Sequence, residues 1–169
     1  MRLRGWWLVL LAACAAPEAE PAFTAAHRAA IVDSVSQRLD AFRAAVATMT
    51  PDSIAPYYVA DSTLRWIEDG VVRYTSRAEI ATALQEAAPF MRDAQLLYDG
   101  TTITPLAPGV ASIVTGFAQK FTLPDGTRGG FAGAITAVMV HTAEGWQFQT
   151  GHTSSAGRPR EGGDSTAVS

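Results

Sequence analysis

The stretch 146–155, "WQFQTGHTSS", alternates large and polar residues, which is typical of a β-strand with one face against a core. Three similar stretches precede it, and together they predict strands at about 94–104, 110–121, 131–141 and 146–154. Segments rich in glycine, proline or other turn residues separate them. The second half of the domain is therefore predicted to be an antiparallel meander.

The residues before the meander have helical spacing. Thr24 can cap a helix whose apolar positions recur every three or four residues from Ile31 to Met49. Proline is well placed at the first position of a helix, so Pro51 predicts a short second helix that reaches about Tyr58. Two helices therefore open the domain.

A hairpin and a third helix follow. The dipeptide Asp69-Gly70 accepts the positive φ angles of a tight turn, which predicts short strands at 63–68 and 71–75. Ser76 and Glu79 match a reciprocal capping box, and Pro89 is expected to end the helix that they begin. The order of elements predicts an α+β fold in which three helices cover a curved antiparallel sheet.

The register of the meander follows from its turns. The turn at 142–145 sets the pairing of the last two strands and places Ile135 opposite His152. Across the longer turn before it, Phe121 is predicted to pair with Phe131. The inner, helix-covered face is then predicted to carry Ile113, Thr115, Phe117, Phe121, Phe131, Ile135, Met139, Trp146, Phe148 and His152.

The composition indicates one ordinary globular domain. The chain has 169 residues, of which 48% are hydrophobic and 17% charged, and its formal net charge is -3 without a block of basic residues. We expect no nucleic-acid partner. Cys14 is the only cysteine, and His27, His141 and His152 do not have zinc-ligand spacing, so we expect neither a metal nor another cofactor.

The first residues have the pattern of an export signal. Arg2 and Arg4 precede an apolar run at 5–11, and small residues follow, which predicts a signal peptide at 1–13. The segment ending in Cys14 resembles a bacterial lipobox, which implies cleavage before that cysteine and lipidation of its thiol. An ordinary secretory signal with a chance cysteine is the alternative.

The domain boundaries come from composition. Residues 14–23 read as a lipidated tether, 24–156 as the folded domain and 157–169 as a disordered tail. We therefore expect an exported chain held by lipid on a bacterial membrane, on its periplasmic or outer face.

Three short motifs and the order of the elements carry a resemblance. "RWIEDG" precedes the hairpin turn, Asp61 follows the second helix, and the closing strand has the form Trp146-x-Phe148 followed by His152-x-Ser154. The domain resembles the cone-shaped nuclear-transport-factor-2-like fold, and in particular its SnoaL-like and calcium/calmodulin-kinase-association-like branch. The resemblance covers about 24–154.

The resemblance implies a pocket between the helices and the sheet that holds a small apolar ligand. In the family's steroid isomerases, three polar residues act on the substrate, and the nearest positions here are Phe42, Ala137 and Trp66, none of which can replace them. The residues expected to bind a ligand are Tyr58, Trp66, Phe90, Thr115, Phe117, Phe131, Ile135, Thr150 and His152.

Two functions remain open on this sequence, and His152 distinguishes them. The chain is either a non-catalytic ligand-binding or interaction domain on a membrane, or a small isomerase, dehydratase or cyclase with His152 as general base. The histidine could equally be a buried structural residue bonded to a hydroxyl group.

A homodimer is predicted through the outer face of the sheet, which is small or polar. The alternative is an antiparallel sheet that stays exposed. The predicted outer face carries Ser112, Val114, Gly116, Ala118, Ala132, Ala134, Thr136, Val138, Gln147, Gln149 and Thr153.

Overall fold

The structure is a computed structural model that describes residues 23–156. The predicted signal peptide, Cys14, residues 15–22 of the predicted tether and the predicted tail lie outside the described residues. Within the described part of the chain, no helix combines the length and hydropathy that a membrane crossing requires.

Three α-helices begin where the sequence predicts caps. Helix α1 spans Ala25–Val46, and the Thr24 side chain accepts a hydrogen bond from the His27 amide at 3.2 Å. Helix α2 spans Pro51–Ile54 and continues as a 3₁₀ turn at Ala55–Tyr57. Helix α3 spans Arg77–Ala87, is capped by Ser76 and continues as a 3₁₀ turn at Ala88–Phe90.

Six strands form one sheet. Strands β1 (Arg65–Glu68) and β2 (Val71–Tyr74) are joined by the predicted turn, in which Asp69 and Gly70 have φ angles of 49° and 84°. The meander follows as strands β3 (Arg92–Ala107), β4 (Val110–Thr122), β5 (Arg128–Thr142) and β6 (Gly145–Ser155).

The strand order is β2-β1-β6-β5-β4-β3. All neighbours are antiparallel except β1 and β6, which run parallel, so the first hairpin extends the sheet beside its last strand. The sheet is curved and open, and the helices cover one face of it. The predicted α+β architecture is confirmed.

Helix α1 is fastened to the sheet by both apolar and polar contacts. Its buried stripe consists of Ile31, Val35, Leu39, Phe42 and Val46, which recur every three or four residues as predicted. The indole nitrogen of Trp146 donates to the Ser34 hydroxyl at 2.9 Å, and Arg38 donates to the Trp146 carbonyl at 2.8 Å. The helix therefore lies over the inner face of the sheet, packed mainly against strand β3 and bonded to strand β6 through Trp146.

The predicted register of the meander is wrong at two places. Phe131 lies opposite Gln119 instead of Phe121, because strand pairing continues to Thr122 and Arg128 and leaves a shorter turn. This error is two residues, so every side chain stays on its predicted face.

The second error reverses faces. Met139 pairs with Phe148, but Val138 pairs with Thr150, so Gln149 is an extra residue in a β-bulge. Beyond it, Ile135 lies opposite Thr153 and not opposite His152. Because neighbouring residues of a strand point to opposite faces, the bulge turns Thr153 inward and His152 outward.

Candidate functional site

The helices and the curved sheet enclose a cavity of 260 Å³. Helices α1 and α3 form one side of it, and the inner face of the six-stranded sheet forms the other. Apolar side chains make up most of the wall, among them Leu39, Ile80, Leu84, Ile113, Phe117 and Ile135. Phe131 also lines the cavity and is 46% exposed to solvent.

Aromatic side chains pack together at one end of the cavity. Tyr58 lies 5.4 Å from both Trp66 and Phe148, measured between ring centroids, and Phe42 lies 5.3 Å from Phe148. Most of these rings meet edge to face, the arrangement that aromatic quadrupoles favour. The domain therefore fills part of its hollow with its own rings and leaves the rest open.

The sheet register aligns the inward-facing side chains in rows. One row crosses strands β1, β6, β5 and β4 as Glu68, Thr153, Ile135 and Thr115. All four of these residues line the cavity, so this row contributes three of its polar side chains. Two of them, Glu68 and Thr153, lie directly opposite each other on parallel strands.

Glu68 provides the cavity with a carboxylate. Its side chain is 40% exposed, and Arg73 approaches it with an Nε to Oε2 distance of 3.9 Å. Burial raises the pKa of Glu68 above its ordinary value, and Arg73 opposes this shift. A carboxyl group with a raised pKa can accept a hydrogen bond or exchange a proton closer to neutral pH than an exposed one.

Three tyrosines also line the cavity, and Tyr58 and Tyr74 lie near this carboxylate. Tyr74 lies opposite Trp66 on strand β2, and Tyr98 lines the cavity from strand β3. Burial raises the pKa of Tyr58, Tyr74 and Tyr98, so all three phenols stay protonated at neutral pH. They can act as hydrogen-bond donors and as aromatic surfaces.

Thr115 contributes mainly its methyl group. Its hydroxyl donates to the Gly116 carbonyl at 2.8 Å and lies 2.8 Å from the Thr101 hydroxyl. These protein contacts occupy the oxygen, and the side chain is 2% exposed. The Thr115 hydroxyl is therefore not free to bond to a ligand.

Six of the nine residues expected to bind a ligand line the cavity. They are Tyr58, Trp66, Thr115, Phe117, Phe131 and Ile135. Phe90 lies in the 3₁₀ turn after α3, where it is 58% exposed and outside the cavity wall. Thr150 and His152 follow the bulge in β6 and face outward, so the placement of His152 in the hollow is wrong.

The sequence interpretation missed several polar residues of the cavity. These are Glu68, Tyr74, Gln119 and Thr153. A signal for Glu68 was present, because it is two residues from Trp66 and strand alternation puts the two on one face. No comparable signal identified Thr153, which the bulge turns inward.

The described residues do not suggest a metal centre. Within 23–156, no three histidine, cysteine, aspartate or glutamate side chains gather closely enough to hold an ion. Glu68 has an arginine and tyrosines as neighbours, and these do not complete a ligand set for a metal.

Comparison with known proteins identifies the architecture. Neither a family model nor a curated protein sequence matches the chain. A nuclear transport factor 2-like superfamily protein from Salmonella enterica superposes with a TM-score of 0.67 at 12% identity, covering 80% of this chain and 98% of that one. The fold is nuclear-transport-factor-2-like.

Two further structures have the same fold. A candidate scytalone dehydratase from Novosphingobium aromaticivorans has a TM-score of 0.72 at 11% identity, covering 79% of this chain and 89% of that one. A candidate calcium/calmodulin-dependent protein kinase II association domain from Xanthomonas campestris has a TM-score of 0.64 at 18% identity, covering 74% and 87%. The expected nuclear-transport-factor-2-like fold is thereby confirmed.

Proposed function

We propose that this domain binds a small, predominantly apolar ligand in the cavity between its helices and its sheet. The observation that carries the proposal is the 260 Å³ hollow, which apolar side chains line except for a few polar groups. Ligand sites are typically concave and apolar with a small number of polar groups that orient the ligand. The row that contains Glu68 and Thr153 has this character.

Similar structures support a ligand in this position. They include candidate dehydratases from Novosphingobium aromaticivorans and Streptomyces avermitilis, and the second has a TM-score of 0.67 at 14% identity. Because the sequence identity is this low, the structural similarity supports ligand binding in the cavity but does not indicate a particular substrate.

The test is to fill the cavity from its helical side. Ala83 lines the hollow on α3, and Ala83→Phe would place a ring in the space that a ligand needs. Ala41→Phe is the matched control, since Ala41 is exposed on α1. The full chain is incubated with a lipophilic metabolite extract, and retained compounds are identified by mass spectrometry.

We expect the wild type and Ala41→Phe to retain the same compounds, and Ala83→Phe to retain about tenfold less or none. Thermal denaturation must show that both variants are folded. Equal retention by the two variants would contradict binding in the cavity.

A small enzyme is the second candidate, and Glu68 is the observation that favours it. His152 faces outward and cannot serve as the base, whereas Glu68 lines the cavity with a raised pKa. Such a carboxyl group could move a proton on a bound ligand. Mass spectra of the retained compound before and after incubation decide between binding and turnover.

We also propose that the domain is displayed on a bacterial membrane through lipid on Cys14. The support is the sequence at 1–14, where two arginines, an apolar run and small residues precede the cysteine. Metabolic labelling with a fatty-acid analogue should mark the wild type but not Cys14→Ser. Equal labelling of both chains, or of neither, would count against this anchor.

A further inference from the structure

The charges around the cavity restrict which ligand it can hold, if it holds one as proposed above. Among the described residues, 23–156, that line the hollow, Glu68 is the only side chain that is charged at neutral pH. The tyrosines and Gln119 are neutral, and the wall contains no lysine, arginine or histidine within the described part of the chain. A ligand therefore meets one negative charge and no positive one inside the cavity.

The register shows what surrounds that charge. Along β1, the neighbouring inward side chain is Trp66, and Tyr74 lies opposite Trp66 on β2. On the other side, Thr153 lies opposite Glu68. A group beside the carboxylate is thus close to two aromatic side chains and one hydroxyl, all at neighbouring positions on adjacent strands.

The contact of Glu68 with Arg73 does not prevent the carboxylate from binding a second cation. Arg73 lies on the exposed strand β2 with 58% of its side chain in solvent, and its Nε is 3.9 Å from the carboxylate. An exposed pair at this distance is weak because water screens it. Arg73 does not line the cavity, so the side of Glu68 that faces the hollow has no charged partner in it.

We propose that the cavity selects apolar amines, with the ammonium group beside Glu68 and the apolar body in the hollow. An ammonium group donates a charge-assisted hydrogen bond to the carboxylate and lies close to the aromatic side chains of Trp66 and Tyr74. Glu68 is 40% exposed, so the ammonium group keeps part of its hydration. A carboxylate ligand would instead bring a second negative charge to the same place.

Three probes with the same apolar body test this selectivity. They are 2-phenylethylamine, 2-phenylethanol and phenylacetate, which carry an ammonium, a neutral hydroxyl and a carboxylate. Binding to the full chain is measured by calorimetry at neutral pH. We expect the amine to bind about tenfold or more tightly than the alcohol, and the carboxylate to bind most weakly.

Two variants that each remove one negative charge assign the effect to Glu68. Glu68→Gln keeps the shape of the side chain, and Asp33→Asn, on the exposed face of α1, is the matched control. Glu68→Gln should lose about tenfold in affinity for the amine with little change for the alcohol. Asp33→Asn should behave as the wild type, and thermal denaturation should show that both are folded.

The outcomes separate the two proposals. Amine preference that persists in Glu68→Gln, or equal binding of all three probes to the wild type, overturns the selectivity and leaves a general apolar site. Failure of all three probes to bind overturns the amine proposal, and retention of lipophilic compounds by the wild type but not Ala83→Phe would still support the cavity.

Discussion

At the scale of single residues, the wall of the cavity depends on a glycine. A side chain at Gly151 would collide with the ring of Trp66, whose Cε3 and Cη2 atoms both lie 2.7 Å from the position a Cβ would take. Trp66 in turn packs 5.7 Å from Phe148, between centroids. The absence of a side chain at 151 thus lets the indole lie flat against strand β6.

Gly151→Ala should therefore destabilise the domain. The added methyl group forces the indole of Trp66 from its place, and overpacking of this kind costs about 1–3 kcal/mol. The free energy of unfolding is measured by denaturant titration. In a Trp66→Leu background, the same substitution should cost much less, because the ring that it strikes is gone.

Gly109→Ala is the control for this substitution. A Cβ there would meet only His141 Cβ at 3.9 Å, an ordinary contact, so the change in stability should be small. Equal losses for Gly151→Ala in the wild-type and Trp66→Leu backgrounds would show that the indole is not the cause.

The aromatic residues of the cavity wall could be predicted from the sequence, whereas its carboxylate could not. The aromatic wall residues Trp66, Phe117 and Phe131 were predicted, because large apolar residues at alternate strand positions turn to the core. Glu68 was missed because a charged residue beside a turn is usually exposed to solvent, whereas the Glu68 side chain is only 40% exposed. Only the cover provided by α3 makes that position part of a cavity.

At the scale of elements, local signals predicted the structure well. The capping residue Thr24 and the turn Asp69-Gly70 act within three or four residues, and both have the predicted geometry. The capping box matches only in part. The Ser76 hydroxyl accepts from the Glu79 amide at 3.3 Å, but the Glu79 carboxylate accepts from the amide of Thr75, one residue before the cap, at 2.6 Å.

The bulge in β6 could not be predicted, because its cause is distant in sequence. Strand β6 is paired with Tyr58 at Phe148 and with β1 from Thr150 onward, and Gln149 lies between these two partners. The Gln149 side chain donates to the Thr63 hydroxyl at 3.0 Å, across 86 residues of chain. A periodic pattern within β6 contains no information about such a partner.

At the scale of the whole molecule, the outer face of the sheet bears on the oligomeric state. A row of side chains crosses it as Ile67, His152, Thr136 and Val114, and Val114 is 48% exposed. Small residues such as Ala132 and Ala134 lie on the same face. We propose that a second copy of the chain packs there, since a face with few charged side chains can pair with itself.

Thr136→Arg tests this dimer, since it puts a charge in the middle of the face. The mass of the full chain is measured by light scattering after size-exclusion chromatography. We expect a dimer for the wild type and for Thr82→Arg, a control on the exposed side of α3, and a monomer for Thr136→Arg. A monomeric wild type would contradict the proposal.

Strand β6 also sets the order in which this domain can assemble. It pairs with β1, bridges to Tyr58 and bonds to α1 through Trp146, so β1 and the turn after α2 have a sheet partner in the last strand to be synthesised. Contacts this distant in sequence form slowly, since a long loop must close first. Until β6 arrives, β1 and the aromatic cluster around Tyr58 lack this partner, and a nascent chain is exposed to aggregation throughout that interval.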